Sequence, residues 1–451
     1  MSNIDNFETG SISKVVLKNA IPAIISMLVV LIYNMADTFF VGQTGDELQV
    51  AAVSLATPVF LLFMATGSLF GIGGTSIISR ALGQGNKDYA RYVSSFCFWA
   101  SMITGCCFII LLQAFMNPIL KVIGTSADTI EFTRDYLSVV AWSAPFVLIS
   151  TAFSNIVRAE GRSNEAMIGT TVGTILNIVL DPLFILGLKM GVTGAAWATV
   201  IGNVVATVYY VVILLRGNTY LSLKLKDFKI NRQIVYDVFS IGIPASLQSV
   251  MMSVSSIVAN ILLARYSDIA VAAYGIAIKI AMIVCLLQMG LGQGIQPVLG
   301  YNYGAKRMDR FSAIIRYSNK LAIVMGVVLT VVCMLFAKQL THFFIDSAEV
   351  IQYGVPFLQT LLLSGPVLGI LFVYINALQA TGAARASLLL SISRQGLIFI
   401  PLLFILNKLF GLNGLVFSQP IADFLACIIA FGLYRRIMRK SGDLETASKI
   451  R

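Results

Sequence analysis

Twelve apolar runs of about twenty residues or more, separated by polar breaks, constrain this chain more than any other feature. A run of that length crosses a bilayer as an α-helix, because lipid offers no hydrogen-bond partners to an open backbone. We therefore predict an all-α integral membrane protein with twelve transmembrane helices. The predicted spans are 14–41, 51–80, 89–116, 131–157, 163–187, 192–215, 233–263, 269–299, 312–336, 348–378, 385–407 and 412–434.

Composition excludes a soluble domain and a membrane barrel. Hydrophobic residues make up 57% of the chain and charged residues 12%, whereas soluble domains carry about 25% charged residues. A transmembrane barrel would need segments of about ten residues that alternate apolar and polar positions. Runs such as "LAIVMGVVLTVVCMLF" show no alternation, so helices are the remaining way to span the membrane.

The positive charge is concentrated in alternate loops. The intervening loops hold scarcely more than one basic residue each, which is the pattern that places basic loops in the cytoplasm. With an even number of spans, both termini are expected on the cytoplasmic side of the cell (inner or plasma) membrane. This placement favours membrane lipids over nucleic acid as the partner of the +11 charge. The basic loops contain Arg80, Lys87 and Arg91; Arg158 and Arg162; residues 216–232; residues 306–316; and residues 435–440.

The chain repeats itself after a shift of about 220 residues. "AIPA" then meets "GIPA", "NIVRAEG" meets "NALQATG", and "GVTG" meets "GLNG", all in the same order. The repeat predicts two pseudo-symmetric six-helix lobes in the same orientation, an arrangement in which one half can rock against the other. We expect an N-terminal lobe at 1–215, a cytoplasmic linker at 216–232, a C-terminal lobe at 233–440 and a cytoplasmic tail at 441–451.

Acidic residues deep in the apolar runs are the best candidates for function, because an ionised carboxylate in a membrane is costly. Asp37 and Asp181 each lie nineteen residues beyond a basic residue at the start of their span, or about 28 Å along a helix. Asn177 precedes Asp181 by one helical turn, on the same face. Two such carboxylates sharing a pocket favour a bound proton or cation, although both could instead be ordinary groups in the membrane interface.

Other residues could support this site. Tyr33, Tyr136 and Thr199 lie at similar depth and could donate hydrogen bonds, and we add Asn155 to the predicted supporting network. Pro22 removes one backbone hydrogen bond from the first span and could kink it.

The second half carries a different set of buried charges. Lys279 and Arg394 are cations within apolar runs, and Asp423 could pair with either of them. A structural ion pair is at least as good an interpretation of this group as a functional site.

No nucleotide, metal or redox chemistry is indicated. The phosphate-binding pattern G-x-x-x-x-G-K-[ST] does not occur, the six cysteines lie in apolar runs without metal spacing, and there is one histidine, His342. We therefore expect no cofactor, no metal except sodium, no obligatory protein partner and no enzymatic activity. Uphill transport would have to use an ion gradient.

Taken together, "NMADTFFVG" in the first span, "RAEGR" after the fourth, "LNIVLDP" in the fifth and "QATG" after the tenth resemble the MATE family of multidrug and toxin extrusion transporters. Among its branches the chain looks similar to the bacterial MepA-type pumps. The resemblance implies an antiporter that exports amphipathic or cationic drugs and dyes in exchange for protons or sodium. It also implies that Asp37, Asn177 and Asp181 bind the coupling ion, with Tyr136 and Thr199 in support and Pro22 as a helix kink.

The chain departs from some members of the family, and two other functions compete. It has no acid in "IGIPASLQSVMMSV" or "LLLSGPVLGILFVYINAL", where those members carry one, so only Asp423 is left as a remote coupling candidate in the second half. A lipid-linked oligosaccharide flippase is the main alternative, and it would favour a strongly cationic interior. A membrane enzyme or passive channel is a third possibility that no cluster of catalytic residues supports.

Overall fold

The computed structural model describes residues 4–43, 46–217, 219–345 and 347–449, and that part of the chain is helical with no strand. The helices begin and end close to the predicted spans. They are α1 (Asp5–Thr9), α2 (Ile12–Gly42), α3 (Glu47–Gly83), α4 (Lys87–Ala114), α5 (Met116–Val122), α6 (Ile130–Ile156), α7 (Ser163–Pro182), α8 (Gly191–Arg216), α9 (Arg232–Leu263), α10 (Asp268–Gly304), α11 (Met308–Leu335), α12 (Ala337–Phe344), α13 (Ala348–Leu362), α14 (Gly365–Ala380), α15 (Ala384–Ile392) and α16 (Ile400–Lys449).

Within the described ranges, twelve segments are suited to cross a membrane. Nine single helices and one bent pair, Ala348–Leu362 with Gly365–Ala380, are each long and apolar enough for one crossing. The helical stretch Ala384–Arg439 has 56 residues, about 84 Å if it were straight and far more than one bilayer needs. It reverses at Gly411, whose backbone has φ 60° and ψ −139°, and this turn makes two spans. The predicted twelve-helix membrane fold is confirmed.

Short polar side chains start several of these helices. Asp46 accepts a hydrogen bond from the Leu48 amide at 3.0 Å, and Asn86 does the same for Tyr89 at 3.0 Å. Such caps satisfy amides that have no partner inside the first turn. These caps fix where α3 and α4 begin.

The chain divides into two compact units, and the division falls inside α2. The first unit is built mainly from Ile25–Gly242, and the second from Phe7–Ile24 together with the residues from Ile243 onward. The first part of α2, which contains Pro22, thus belongs to the second unit. The segment at 216–232 and the first turns of α9 belong to the first.

The first unit has an apolar core between α3, α4, α6 and α8. Phe63, Leu137, Val140 and Leu148 are fully buried at its centre. Gly105 of α4 lies so close to α6 that a Cβ atom would come within 2.3 Å of the Pro145 backbone. Only glycine permits this approach, and it brings α4 against α6.

The second unit repeats that architecture around its own core. Tyr274, Phe357 and Leu358 pack with residues of α9 and α16. A Cβ atom on Gly326 of α11 would come within 2.8 Å of Pro366, so the glycine-against-proline contact of the first unit recurs at the same position in the repeat.

Apolar side chains cover the outward faces of both units. Ile110 is 67% exposed and Ile428 is 68% exposed. Exposed apolar surface on this scale would be unfavourable in water and is favourable against lipid.

The linker packs along the first unit rather than projecting from it. The Trp99 indole donates a hydrogen bond to the Leu223 carbonyl at 3.1 Å, and the Thr219 hydroxyl donates one to the buried Glu160 carboxylate at 2.7 Å. These contacts tie the linker to the middle of α4 and to the turn that follows α6.

Candidate functional site

Helix α7 carries the central pair of the candidate site. Asn177 and Asp181 lie one turn apart and are 4% and 0% exposed. Helix α7 packs closely on α8, because Gly173 has no side chain at the contact. A Cβ atom there would lie 2.6 Å from the Gly202 carbonyl oxygen. Beyond Pro182 the helix widens into a π-helical turn at Leu183–Gly187. Such turns frequently occur at functional sites in helices.

The acceptor oxygens of this pair lack donors. Among the described residues, neither oxygen of the Asp181 carboxylate has a hydrogen-bond partner. The side-chain oxygen of Asn177 has none there either. The Asn177 amide donates to the Thr199 hydroxyl at 3.3 Å, which orients the asparagine oxygen away from that contact. Buried oxygens without donors are unfavourable. A bound proton or a hard cation, which prefers oxygen ligands, would satisfy them.

Asp37 approaches this pair from α2. It is half-buried and interacts electrostatically with Asp181. The hydroxyls of Tyr33 and Tyr136 interact electrostatically with both carboxylates, and Tyr33 also contacts the Thr199 hydroxyl. The structure therefore brings together Asp37, Tyr33, Tyr136, Asn177, Asp181 and Thr199, all within the first unit.

Asn155 does not belong to this group, and the expectation that it supports the carboxylates is not met. It lies nineteen residues after Tyr136 on α6, about 28 Å along the helix. Its side chain donates to the Thr151 carbonyl at 3.0 Å and packs against Gly71 of α3. In the second unit Asn376 occupies the same place in the repeat, donating to the Phe372 carbonyl at 2.9 Å and packing against Gly292. The repeat thus marks Asn155 as a packing residue.

Pro22 lies apart from the carboxylates but on the same helix as Asp37. It is buried in the first half of α2, fifteen residues or about 22 Å before Asp37. The boundary between the two compact units follows it after Ile24.

The buried acid of the second unit is paired. The Arg394 guanidinium donates to Asp423 at 2.8 Å, and the two side chains are 6% and 1% exposed. Ser364 and Gln419 donate to the same carboxylate at 2.8 and 3.0 Å. Lys279 is exposed on α10, so of the two cations proposed from sequence it is Arg394 that neutralises Asp423.

Sequence reasoning missed three polar residues. Two of them, Gln419 and Ser364, bond the Asp423 carboxylate, and the third, Glu160, bonds the linker. Gln419 precedes Asp423 by one turn, the same spacing as Asn177 and Asp181, and this amide-to-acid spacing could have revealed it. Ser364 comes from another helix, and no local pattern connects it to Asp423. Glu160 was visible only as part of "RAEGR", and its bonds to the linker depend on tertiary packing.

Comparison with known proteins agrees with this architecture. The MatE family model matches residues 22–183 and again residues 244–405, once in each half of the repeat. The multidrug export protein MepA of Staphylococcus haemolyticus is 34% identical over 437 residues, which cover 96% of both chains.

Solved structures are similar over nearly the whole chain. A multidrug resistance MATE family transporter of the MOP superfamily, in an outward-facing conformation, superimposes with a TM-score of 0.92 at 27% identity, covering 97% of this chain and 98% of that one. A MATE protein in a bent conformation gives a TM-score of 0.90 at 27% identity, covering 100% and 99%. These proteins are transporters rather than enzymes, and with the repeated model match they show that this multi-pass membrane protein belongs to the MatE family.

Proposed function

We propose that this protein is a secondary active multidrug efflux antiporter. It exports amphipathic or cationic organic compounds in exchange for protons or sodium, by alternating access. The export activity is supported by relatives named as multidrug export proteins. The exchange is supported by one observation above all, the fully buried Asp181 carboxylate without a donor among the described residues.

An ion gradient can drive transport only through groups that take up and release the ion. When Asp181 and Asp37 are both ionised, their repulsion in a low-dielectric site is relieved by a proton or by Na⁺. The asparagine oxygen of Asn177 and the hydroxyls of Tyr33 and Tyr136 supply further oxygen atoms for a sodium ion, whereas a proton needs only one carboxylate. The same negative site would attract a cationic substrate, so ion and substrate binding oppose one another.

Helix α2 could transmit occupancy of this site to a conformational change. Asp37 lies near the end of α2 that belongs to the first unit, and Pro22 lies in the part that belongs to the second. A proline weakens the helix locally because it donates no backbone hydrogen bond. Bending near Pro22 in response to the charge on Asp37 would couple the two states of an alternating-access cycle.

The orientation follows from the basic loops. We place both termini in the cytoplasm, because the basic loops lie at the same end as the termini in a twelve-span chain. The exported compounds would then leave by the end at which α2 finishes.

The flippase alternative is less well supported. It calls for unpaired cations in the interior, and Arg394 is neutralised by Asp423. The carboxylates of the first unit give the opposite charge.

The test is transport of a fluorescent cationic dye by purified protein in liposomes, with a pH gradient and a sodium gradient imposed separately. Asp37→Asn and Asp181→Asn are compared with Asp135→Asn, which makes the same change at an exposed position beside Tyr136. We expect one gradient to drive the wild type and the Asp135 variant and neither gradient to drive the other two. Equal transport by all four proteins would reject ion coupling at this site, and no dye movement by any would favour the flippase.

A further inference from the structure

An open groove lies along α7 and α8 at the end where the basic loops are. It has a volume of about 580 Å³ and is lined by Val172 of α7, by Val205, Val208 and Tyr209 of α8, and by two arginines. All of these residues lie in the first unit. None of them belongs to the carboxylate site described above.

The wall of the groove is suited to hydrocarbon. Val172 is 41% exposed and Val208 is 52% exposed, and both lie within predicted membrane spans. An extended acyl chain in the groove would cover these side chains and keep their apolar surface out of water, which is favourable. A chain seated between two helices would also make more contacts than one on a flat lipid-facing surface.

The end of the groove is basic, because α7 begins and α8 finishes there. Arg162 immediately precedes α7, and Arg216 ends α8. The Arg162 Nε atom bonds Glu165 at 3.2 Å, but its buried Nη1 atom has no hydrogen-bond partner among the described residues. A Cβ atom on Gly217 would lie 2.8 Å from the Ile213 carbonyl oxygen and 3.3 Å from Nη1, so the residue after α8 packs closely on the guanidinium.

The two arginines at this end differ in their charge partners. Arg162 bonds Glu165 and also interacts electrostatically with the buried Glu160 carboxylate. Arg216 is exposed and forms no ion pair with any residue in the described ranges. Arginine binds phosphate oxygens through paired N–H donors, which suits a headgroup at this level of the membrane.

We propose that this groove binds one anionic phospholipid. Its phosphate lies between Arg162 and Arg216, and one acyl chain lies along Val172, Val205 and Val208. Basic pockets between membrane helices on the cytoplasmic side recognise such headgroups. The apolar wall continues directly from the arginines, so the whole lipid rather than free phosphate is the ligand.

The measurement is native mass spectrometry of the purified protein with phosphatidylglycerol and phosphatidylcholine of the same chain length. We expect the wild type to retain phosphatidylglycerol preferentially. Arg162→Gln and Arg216→Gln should each weaken that preference about fivefold. Arg436→Gln removes the same charge from an exposed position outside the groove and should leave the preference unchanged.

A second pair of variants separates lipid from free phosphate. Val208→Trp fills the groove without altering charge and should lower retention of both lipids, whereas Val331→Trp, at a position 48% exposed in the second unit, should not. Excess inorganic phosphate should not displace phosphatidylglycerol.

Three results would overturn the proposal. They are equal retention of the two lipids by the wild type, an Arg436→Gln effect as large as that of Arg216→Gln, and unchanged retention in Val208→Trp with displacement by phosphate. Arg216 is exposed, so its variant tests the site even where Arg162→Gln fails to fold. The assay requires no transport activity and is therefore independent of the proposed antiport.

Discussion

The two units each bury a carboxylate in the membrane, but only one of the two carboxylates has hydrogen-bond donors among the described residues. Asp423 in the second unit accepts bonds from Arg394, Ser364 and Gln419 and is 1% exposed. Asp181 in the first unit is equally buried, yet no described residue donates to either of its oxygens. An internally satisfied acid holds its charge and contributes structure. A carboxylate without donors is stabilised by binding a proton or a cation, which makes it the better candidate for coupling to an ion.

The two acids share one local feature and differ in the residues that face them. An amide side chain lies one turn before each of them, Asn177 before Asp181 and Gln419 before Asp423. The decisive difference is the cation, because Arg394 on the π-helical segment Ser393–Phe399 reaches Asp423. Near Asp181 the neighbour is instead a second acid, Asp37. One unit thus holds an ion pair and the other an acid pair.

The largest expected effect is on transport, and it follows from replacing the buried acid that lacks donors. Asp181→Asn should reduce gradient-driven dye uptake to the level of protein-free liposomes, because an amide neither ionises nor exchanges a proton. Its thermal stability should equal or exceed that of the wild type, since the substitution removes an uncompensated buried acid. Transport and unfolding measured on the same preparation check this, and a parallel loss of both would mean that Asp181 is structural.

The next effect, on folding, belongs to the second unit. Arg394→Met leaves Asp423 buried without its cation and should lower the free energy of unfolding by about 3–5 kcal/mol. The double variant Arg394→Met/Asp423→Leu removes both charges and should recover most of that loss. Unfolding in detergent measures both variants. A double variant that stays folded but no longer transports would show that the pair also takes part in the cycle.

Sequence predicted the helices well because hydrophobic length alone decides whether a segment can span a bilayer. It also placed Asp37 and Asp181 together as a predicted site, because charge is so rare in these runs that position alone distinguishes the two acids. It could not assign Asn155 correctly, since whether an amide faces a carboxylate or packs on Gly71 depends on helix rotation and depth. Nor could it choose between Lys279 and Arg394 as partner of Asp423, because that choice depends on the chain reversal at Gly411.

A smaller effect is the pH dependence of substrate binding. If protons are the coupling ion, protonation of the first-unit carboxylates removes the charge that attracts a cationic dye. Dye affinity should then fall as the pH is lowered, by up to about tenfold per pH unit for one competing proton. Equilibrium dye binding measured over a pH series should show this slope in the wild type and in Arg394→Met/Asp423→Leu, but not in Asp37→Asn/Asp181→Asn. A slope that survives in the last variant would place the titrating group elsewhere, and a wild-type affinity that responds to sodium instead of pH would identify sodium.

The smallest effect concerns the two amides that precede the acids. Gln419→Ala removes one of three donors to Asp423 and should cost about 1 kcal/mol of stability with little change in transport, because Arg394 and Ser364 still hold the carboxylate. Asn177→Ala removes an oxygen that no described donor satisfies, so its stability cost should be lower and its effect should fall on ion-driven transport instead. Unfolding and dye transport of the two variants, measured side by side, give opposite patterns if the acids differ as described. Matching patterns would mean that the two amides have the same role and that the contrast rests on the arginine alone.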